Sequence, residues 1–194
     1  AKWGCGVGED SLIAVTLGTG IGGGIILDGK IWEGFNGFAA ELGHMVIVPN
    51  GEPCGCGKRG CIEAYCSAMG VARTAREWLE LTDEPSVLRS LDNIASKDVY
   101  EAAKEGDALA LKIFEFTGNI LGRSFADFIA FSAPEAIVLF GGLARAKEFL
   151  LQPIEDAMNA NVLPLWRGKV KIVFSQLKES DAAILGASAL AWEL

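Results

Sequence analysis

Four residues constrain this chain more than any others: His44, Cys54, Cys56 and Cys61, in the pattern His-x9-Cys-Gly-Cys-x4-Cys. His44 is the only histidine, and these are three of the five cysteines. Three thiolates and an imidazole complete a tetrahedral shell for Zn²⁺. Gly51, Pro53, Gly55, Gly57 and Gly60 supply the sharp turns that let sulfurs close in sequence converge. No position is left for water, so such a site is structural and not hydrolytic. The competing reading is a disulfide pair plus a spare thiol. The metal is favoured because the spacing closes a four-ligand set and no secretory pattern is visible. Cys66 is a substitute ligand, and Cys5 a bystander.

The rest of the chain bounds what surrounds that loop. At 194 residues, 51% of them apolar, it supports one domain comfortably, or two small ones. No uncharged apolar run reaches the roughly 18 residues of a membrane span. The first residues lack a charged-then-apolar leader, which with the cysteine usage leads to the expectation of a cytoplasmic protein. Net charge is −8, and the lysines and arginines are scattered, so a nucleic-acid surface is not expected.

Leu12 to Leu17 reads as a strand, Ile25 to Leu27 as its antiparallel successor, and Lys30 to Trp32 as a short return strand after the Asp28-Gly29 hairpin signal. Met45 to Val48 reads as one more strand. Helices are expected over Ala68–Leu81, over Lys97–Glu105 capped by Ser96, and from an Asp107 cap to Pro134. In the last of these, Phe114, Leu121, Phe125 and Phe128 share a face, and Ile113, Phe116 and Ile120 lie beside it, a pattern of burial on two sides. Ala136–Phe140 is a buried strand, Ala146–Ala160 a helix, Val170–Phe174 a strand, and Asp181–Trp192 a closing helix capped by Ser180 or Asp181. This order is an α/β sandwich, a meander followed by alternating helix and strand.

Leu17-Gly18-Thr19-Gly20-Ile21-Gly22-Gly23-Gly24 joins two strands, and its backbone N–H groups can approach an anion. It is neither a P-loop nor a dinucleotide fingerprint, because no helix follows. A bulged structural turn accounts for it about as well as a phosphate site does. Gly141-Gly142 after Phe140 is a second such loop, and two at strand ends favour a nucleotide. Glu41 and Glu63 flank the metal loop. Each alone reads as a solvated surface carboxylate, but together with His44 they suit vicinal hydroxyls, with one imidazole nitrogen on the metal and the other free to donate.

Three segments together resemble the ROK family (repressor, open reading frame, kinase). They are the glycine run from Leu17 to Gly24, Gly34-x-x-Gly37-x-Ala39-Ala40-Glu41-x-Gly43-His44, and Cys54-Gly55-Cys56-Gly57-Lys58-Arg59-Gly60-Cys61-Ile62-Glu63-Ala64. Ile137 to Gly142 is similar to the family's adenosine-side loop, and Ala183 to Ala187 to its closing helix. One departure is Ala40, where many members carry glycine.

The resemblance implies an actin-like, ribonuclease-H-like ATPase lobe: a mixed sheet with flanking helices and an inserted zinc loop, 44–66. It implies transfer of the γ-phosphoryl group of ATP, with Mg²⁺, to a hexose. Glu41, His44 and Glu63 would bind sugar hydroxyls. Gly18, Thr19 and Gly20 would meet phosphate, and Gly141 and Gly142 adenosine. His44, Cys54, Cys56 and Cys61 would hold structural Zn²⁺. The family's Asp-x-Gly-Gly-Thr motif and Asn-Asp pair are missing, so no catalytic base is assigned in this chain. Residues 1–194 are expected to be the C-terminal lobe of a two-lobe sugar kinase, glucokinase first among the candidates, and inactive alone. The alternative is the sugar-sensing effector lobe of a ROK transcriptional repressor, and a third reading is a plain zinc-stabilised module. Family members often pair, so a homodimer through Trp3, Trp78 or Trp166 is admitted.

Overall fold

The computed structural model describes residues 5–175, Leu177, Asp181, 184–186 and Ser188. Strands β1 (Leu12–Leu17), β2 (Ile21–Leu27) and β3 (Lys30–Ile31) form the antiparallel meander. Helices α1 (Ile62–Cys66), α2 (Ala68–Leu81), α3 (Ser96–Lys104) and α4 (Ala108–Ser132) follow. Then come β4 (Ala136–Phe140), α5 (Lys147–Asn161) and β5 (Lys171–Phe174). The sheet order is β3-β2-β1-β4-β5, with β4 parallel to both β1 and β5. This is the expected mixed sheet with flanking helices.

Ile13, Val15 and Leu17 alternate on one face of β1 and join Phe114, Leu121, Phe125 and Phe128 of α4 in one core. The two-sided burial of α4 is realised: Ile113 and Ile120 are buried, and Phe116 packs against Tyr65 and Trp78. Asp107 caps α4, accepting from Ala110 N–H at 3.0 Å, and its other oxygen accepts from Val87 N–H at 2.8 Å. Burial alone would raise the Asp107 pKa. Hydrogen bonds from Ala110, Ser86 and Val87 outweigh that and hold it below the usual carboxylate range. Ala133, in the left-handed conformation, stops the helix one residue before Pro134.

Several expectations need correction. Met45–Val48 is not a strand. Ile47 and Val48 N–H both donate to Gly60 O, so alternation fails and a single Val46–Cys61 bridge remains. β2 begins at Ile21, four residues early, because Gly22, Gly23 and Gly24 pair in register with Thr16, Val15 and Ala14. β3 stops before Trp32. Ser96 does not cap α3: Ala95 holds that position, and its N–H donates to Asp98 Oδ2 at 2.8 Å. Trp78 and Trp166 are half-buried against the core, while Trp32, Phe35, Phe38 and Phe131 are the exposed aromatics among the described residues. Trp3 and Ser180 lie outside the described residues, as does much of Asp181–Trp192. Asp181, Ile184, Leu185, Gly186 and Ser188 are helical. Among the described residues, no helix is long and apolar enough to cross a membrane.

Candidate functional site

The metal loop is a knuckle closed by its own backbone. Cys54 N–H donates to Lys58 O at 2.9 Å, Gly57 N–H to Cys54 O at 3.0 Å, and Gly60 N–H to Glu52 O at 2.7 Å. Gly60 has φ +80° with Val48 O packed where a side chain would begin, so only glycine fits. Tyr65, nearly a full turn into α1, accepts Glu52 N–H at 2.7 Å and braces the loop.

The result gathers the four expected ligands. Donor atoms of His44, Cys54, Cys56 and Cys61 all lie within 4.8 Å of one another. All five cysteines are free thiols, so the disulfide alternative does not hold. Cys56 and Cys61 sulfurs are 3.7 Å apart, and Cys54 Sγ is 3.6 Å from His44 Nδ1. A tetrahedral Zn²⁺ bonded at about 2.3 Å to sulfur and about 2.0 Å to nitrogen sets edges of roughly 3.8 and roughly 3.6 Å. The donor set fits Zn²⁺ in its chemistry, and these two spacings match such edges. Without a cation, burial pushes the Cys61 thiol up to about 12, with its sulfur neighbours adding to the shift. The Lys58 N–H and the neighbouring sulfurs lower the exposed Cys56. Cys66 is no substitute ligand: it is buried, its thiol pushed upward by desolvation, and it donates to Thr117 O in the helical core.

The two carboxylates both reach this cluster. Glu41 Oε2 lies 3.9 Å from His44 Nε2, the nitrogen opposite the one that faces Cys54. Glu63 Oε1 lies 3.8 Å from Cys54 Sγ. Glu41 also borders a cleft of about 260 Å³ with Ile13, Ile25, Met45, Asp127 and Phe131, which neither His44 nor Glu63 lines. Beside Glu41, Ala40 has φ +68°. An L-residue pays for that conformation with roughly 1–2 kcal/mol of strain, which glycine would avoid.

The glycine loops meet. β1 and β4 run parallel, so Gly18–Gly20 and Gly141–Gly142 emerge at the same end of the sheet. Gly141, at φ +104°, sits so close to the end of β1 that a Cβ would lie 2.5 Å from Leu17 O. Thr19 is exposed at the tip.

Sequence reasoning missed how tightly the hairpin is held. Glu63 Oε2 accepts Ile21 N–H at 2.9 Å, and Ala68 N–H donates to Gly18 O at 2.8 Å. Gly43, next to His44, packs its bare Cα against Ile21 O. The cue was present in glycine at 20, 23 and 43, but the groups that fill their space come from about twenty to forty residues away.

Comparison with known proteins places the chain among characterised relatives. The ROK family model matches residues 1–193. A glucokinase of Thermotoga maritima is 39% identical over 97% of this chain and 61% of its own length. The N-acetylglucosamine repressor of Escherichia coli O157:H7 is 35% identical over 94% of this chain and 44% of its own length. The crystal structure of a ROK family glucokinase from Streptomyces griseus, in complex with glucose and AMPPNP, superposes with TM-score 0.86 at 35% identity. That match covers 96% of this chain and 62% of that one. The chain thus spans about three fifths of the length of the glucokinases it matches.

Proposed function

The chain belongs to the ROK family, and from that premise we propose that it is the C-terminal lobe of an ATP-dependent hexose kinase acting on glucose. The observation that carries this reading is the two-sided placement of His44. Its Nδ1 faces Cys54 at 3.6 Å, while Nε2 lies 3.9 Å from Glu41. A cation on the first nitrogen fixes the second as a donor. Glu41 and Glu63 then accept hydrogen bonds from hydroxyls, and His44 Nε2–H donates to one.

With four protein ligands, Zn²⁺ would supply rigidity and no open coordination position. The backbone N–H groups of Thr19 and Gly20, with the Thr19 hydroxyl, face the phosphates, while Gly18 shapes the turn, its own N–H donating to Gly20 O at 3.0 Å. Gly141 and Gly142 give the adenosine room against the end of β1. Mg²⁺ on the nucleotide would neutralise phosphate charge. The base that accepts the sugar hydroxyl proton lies outside this chain, so the 194 residues alone are expected to form no hexose 6-phosphate.

The likeness to an N-acetylglucosamine repressor favours one second reading, a sugar-sensing lobe of a transcriptional regulator. Calorimetry and a coupled kinase assay on the full-length protein separate the two. A kinase binds glucose and consumes ATP; a repressor lobe binds a sugar without turnover. Glu41→Ala removes a charged hydrogen-bond partner, worth about 1.5–3 kcal/mol, and should weaken glucose at least about tenfold. Unchanged affinity would remove Glu41 from the site.

A further inference from the structure

Glu63 touches more than a sugar-facing residue needs to. Its Oε2 accepts Ile21 N–H at 2.9 Å, at the foot of the phosphate-side hairpin. The same oxygen fills the space where a Gly20 side chain would start, 2.5 Å from an ideal Cβ. Its Oε1 faces the metal cluster, 3.8 Å from Cys54 Sγ. Glu63 stands two residues after the ligand Cys61, in the first turn of α1. Five residues further on, Ala68 N–H holds the other foot of the hairpin through Gly18 O.

The segment 61–68 therefore grips the hairpin at both feet, and one carboxylate connects it to the metal cluster. Resting on the kinase reading above, we infer that Glu63 is a positioning residue that couples the two halves of the site. It sets the Ile21 peptide, and with it the phosphate-facing N–H groups, while the hairpin in turn aims the carboxylate at the hexose. Because binding couplings are reciprocal, nucleotide on the hairpin tightens hexose, and hexose tightens nucleotide, by one factor.

The test measures both ligands by calorimetry on the full-length protein. AMPPNP alone probes the hairpin, and glucose is titrated with and without it. Glu63→Ala removes the acceptor of Ile21 N–H, whereas Glu63→Gln keeps a carbonyl oxygen there. With no sugar present, AMPPNP affinity should fall about tenfold in Glu63→Ala and stay within about twofold in Glu63→Gln. A Glu63 that only binds sugar would leave AMPPNP unchanged in both, and that result overturns the inference.

Gly20→Ala is the complementary variant. The atom it meets is the end of a flexible side chain, so the carboxylate moves and the fold survives. Glucose should weaken about tenfold in Gly20→Ala even without nucleotide, and its response to AMPPNP should vanish. If glucose binding depends on Glu41 but ignores Gly20→Ala, the coupling fails while the hexose reading stands. If the unmodified protein binds neither glucose nor another hexose, the hexose reading fails, and the coupling with it.

Discussion

The contact between α4 and α5 depends on the absence of two methyl groups, at Gly118 and Gly122. A Cβ on Gly122 would lie 2.8 Å from both Ala157 Cβ and Met158 N, and closer still to Ile154 O. A Cβ on Gly118 would lie 2.6 Å from Pro153 Cβ, inside α5. Carbon atoms prefer roughly 3.5–4.0 Å, so Gly122→Ala asks α5 to retreat by about 1 Å. Helix propensity pulls the other way, since alanine gains about 1 kcal/mol over glycine in a helix interior. Overpacking costs about 1–3 kcal/mol. Here the obstacles are backbone atoms and a Cβ that cannot swing aside, so the upper end applies. The balance is a loss of about 2 kcal/mol, or a fall in Tm of about 4–8 °C for a chain of this size. Circular dichroism melts of Gly122→Ala test it, with Gly24→Ala as the comparison, because nothing lies within 4 Å of a Cβ there. A Gly122→Ala protein that melts at or above the parent temperature would refute the close-approach argument.

The helix cap and the metal loop each give further outcomes. Asp107→Ala removes the cap of α4 and should cost about 1 kcal/mol, read as a drop in Tm. The folded pKa of Asp107 is depressed, so its stabilisation is present above the unfolded carboxyl value and is lost as pH falls through the folded one. Acid titration of stability should therefore be shallower in Asp107→Asn than in the parent. Elemental analysis should find one Zn²⁺ per chain. Its removal by a chelator should speed exchange of the Ile47, Val48 and Gly60 amides, which the knuckle now ties down. Unchanged protection in metal-free protein would deny the ion its structural role.

The parts of this molecule visible in its sequence are those whose chemistry is local. The four candidate ligands lie within eighteen residues. The strand of Ala136–Phe140, the Asp107 cap and the long apolar arc of α4 were legible for the same reason: periodicity and capping are read within one element. What escaped were the consequences of distant neighbours. Glycine at 22–24 reads as loop and is strand, since all three residues pair with β1, and at 23 the Ala40 carbonyl and the Leu42 side chain take the place of a side chain. Met45–Val48 had strand composition but only one carbonyl, that of Gly60, to share between two N–H groups. The link from Glu63 to Ile21 spans forty-two positions and has no signature in either segment alone.

The backbone at Ala40 bends into left-handed space, and its carbonyl occupies the volume a side chain at Gly23 would need. Neither position can therefore drift independently. A library that diversifies residues 39–41 to retune ligand choice inherits a fixed glycine on the opposite strand, and any larger residue at 23 would first require the turn to unwind. Productive exchanges between relatives would have to transplant both stretches as a matched cassette.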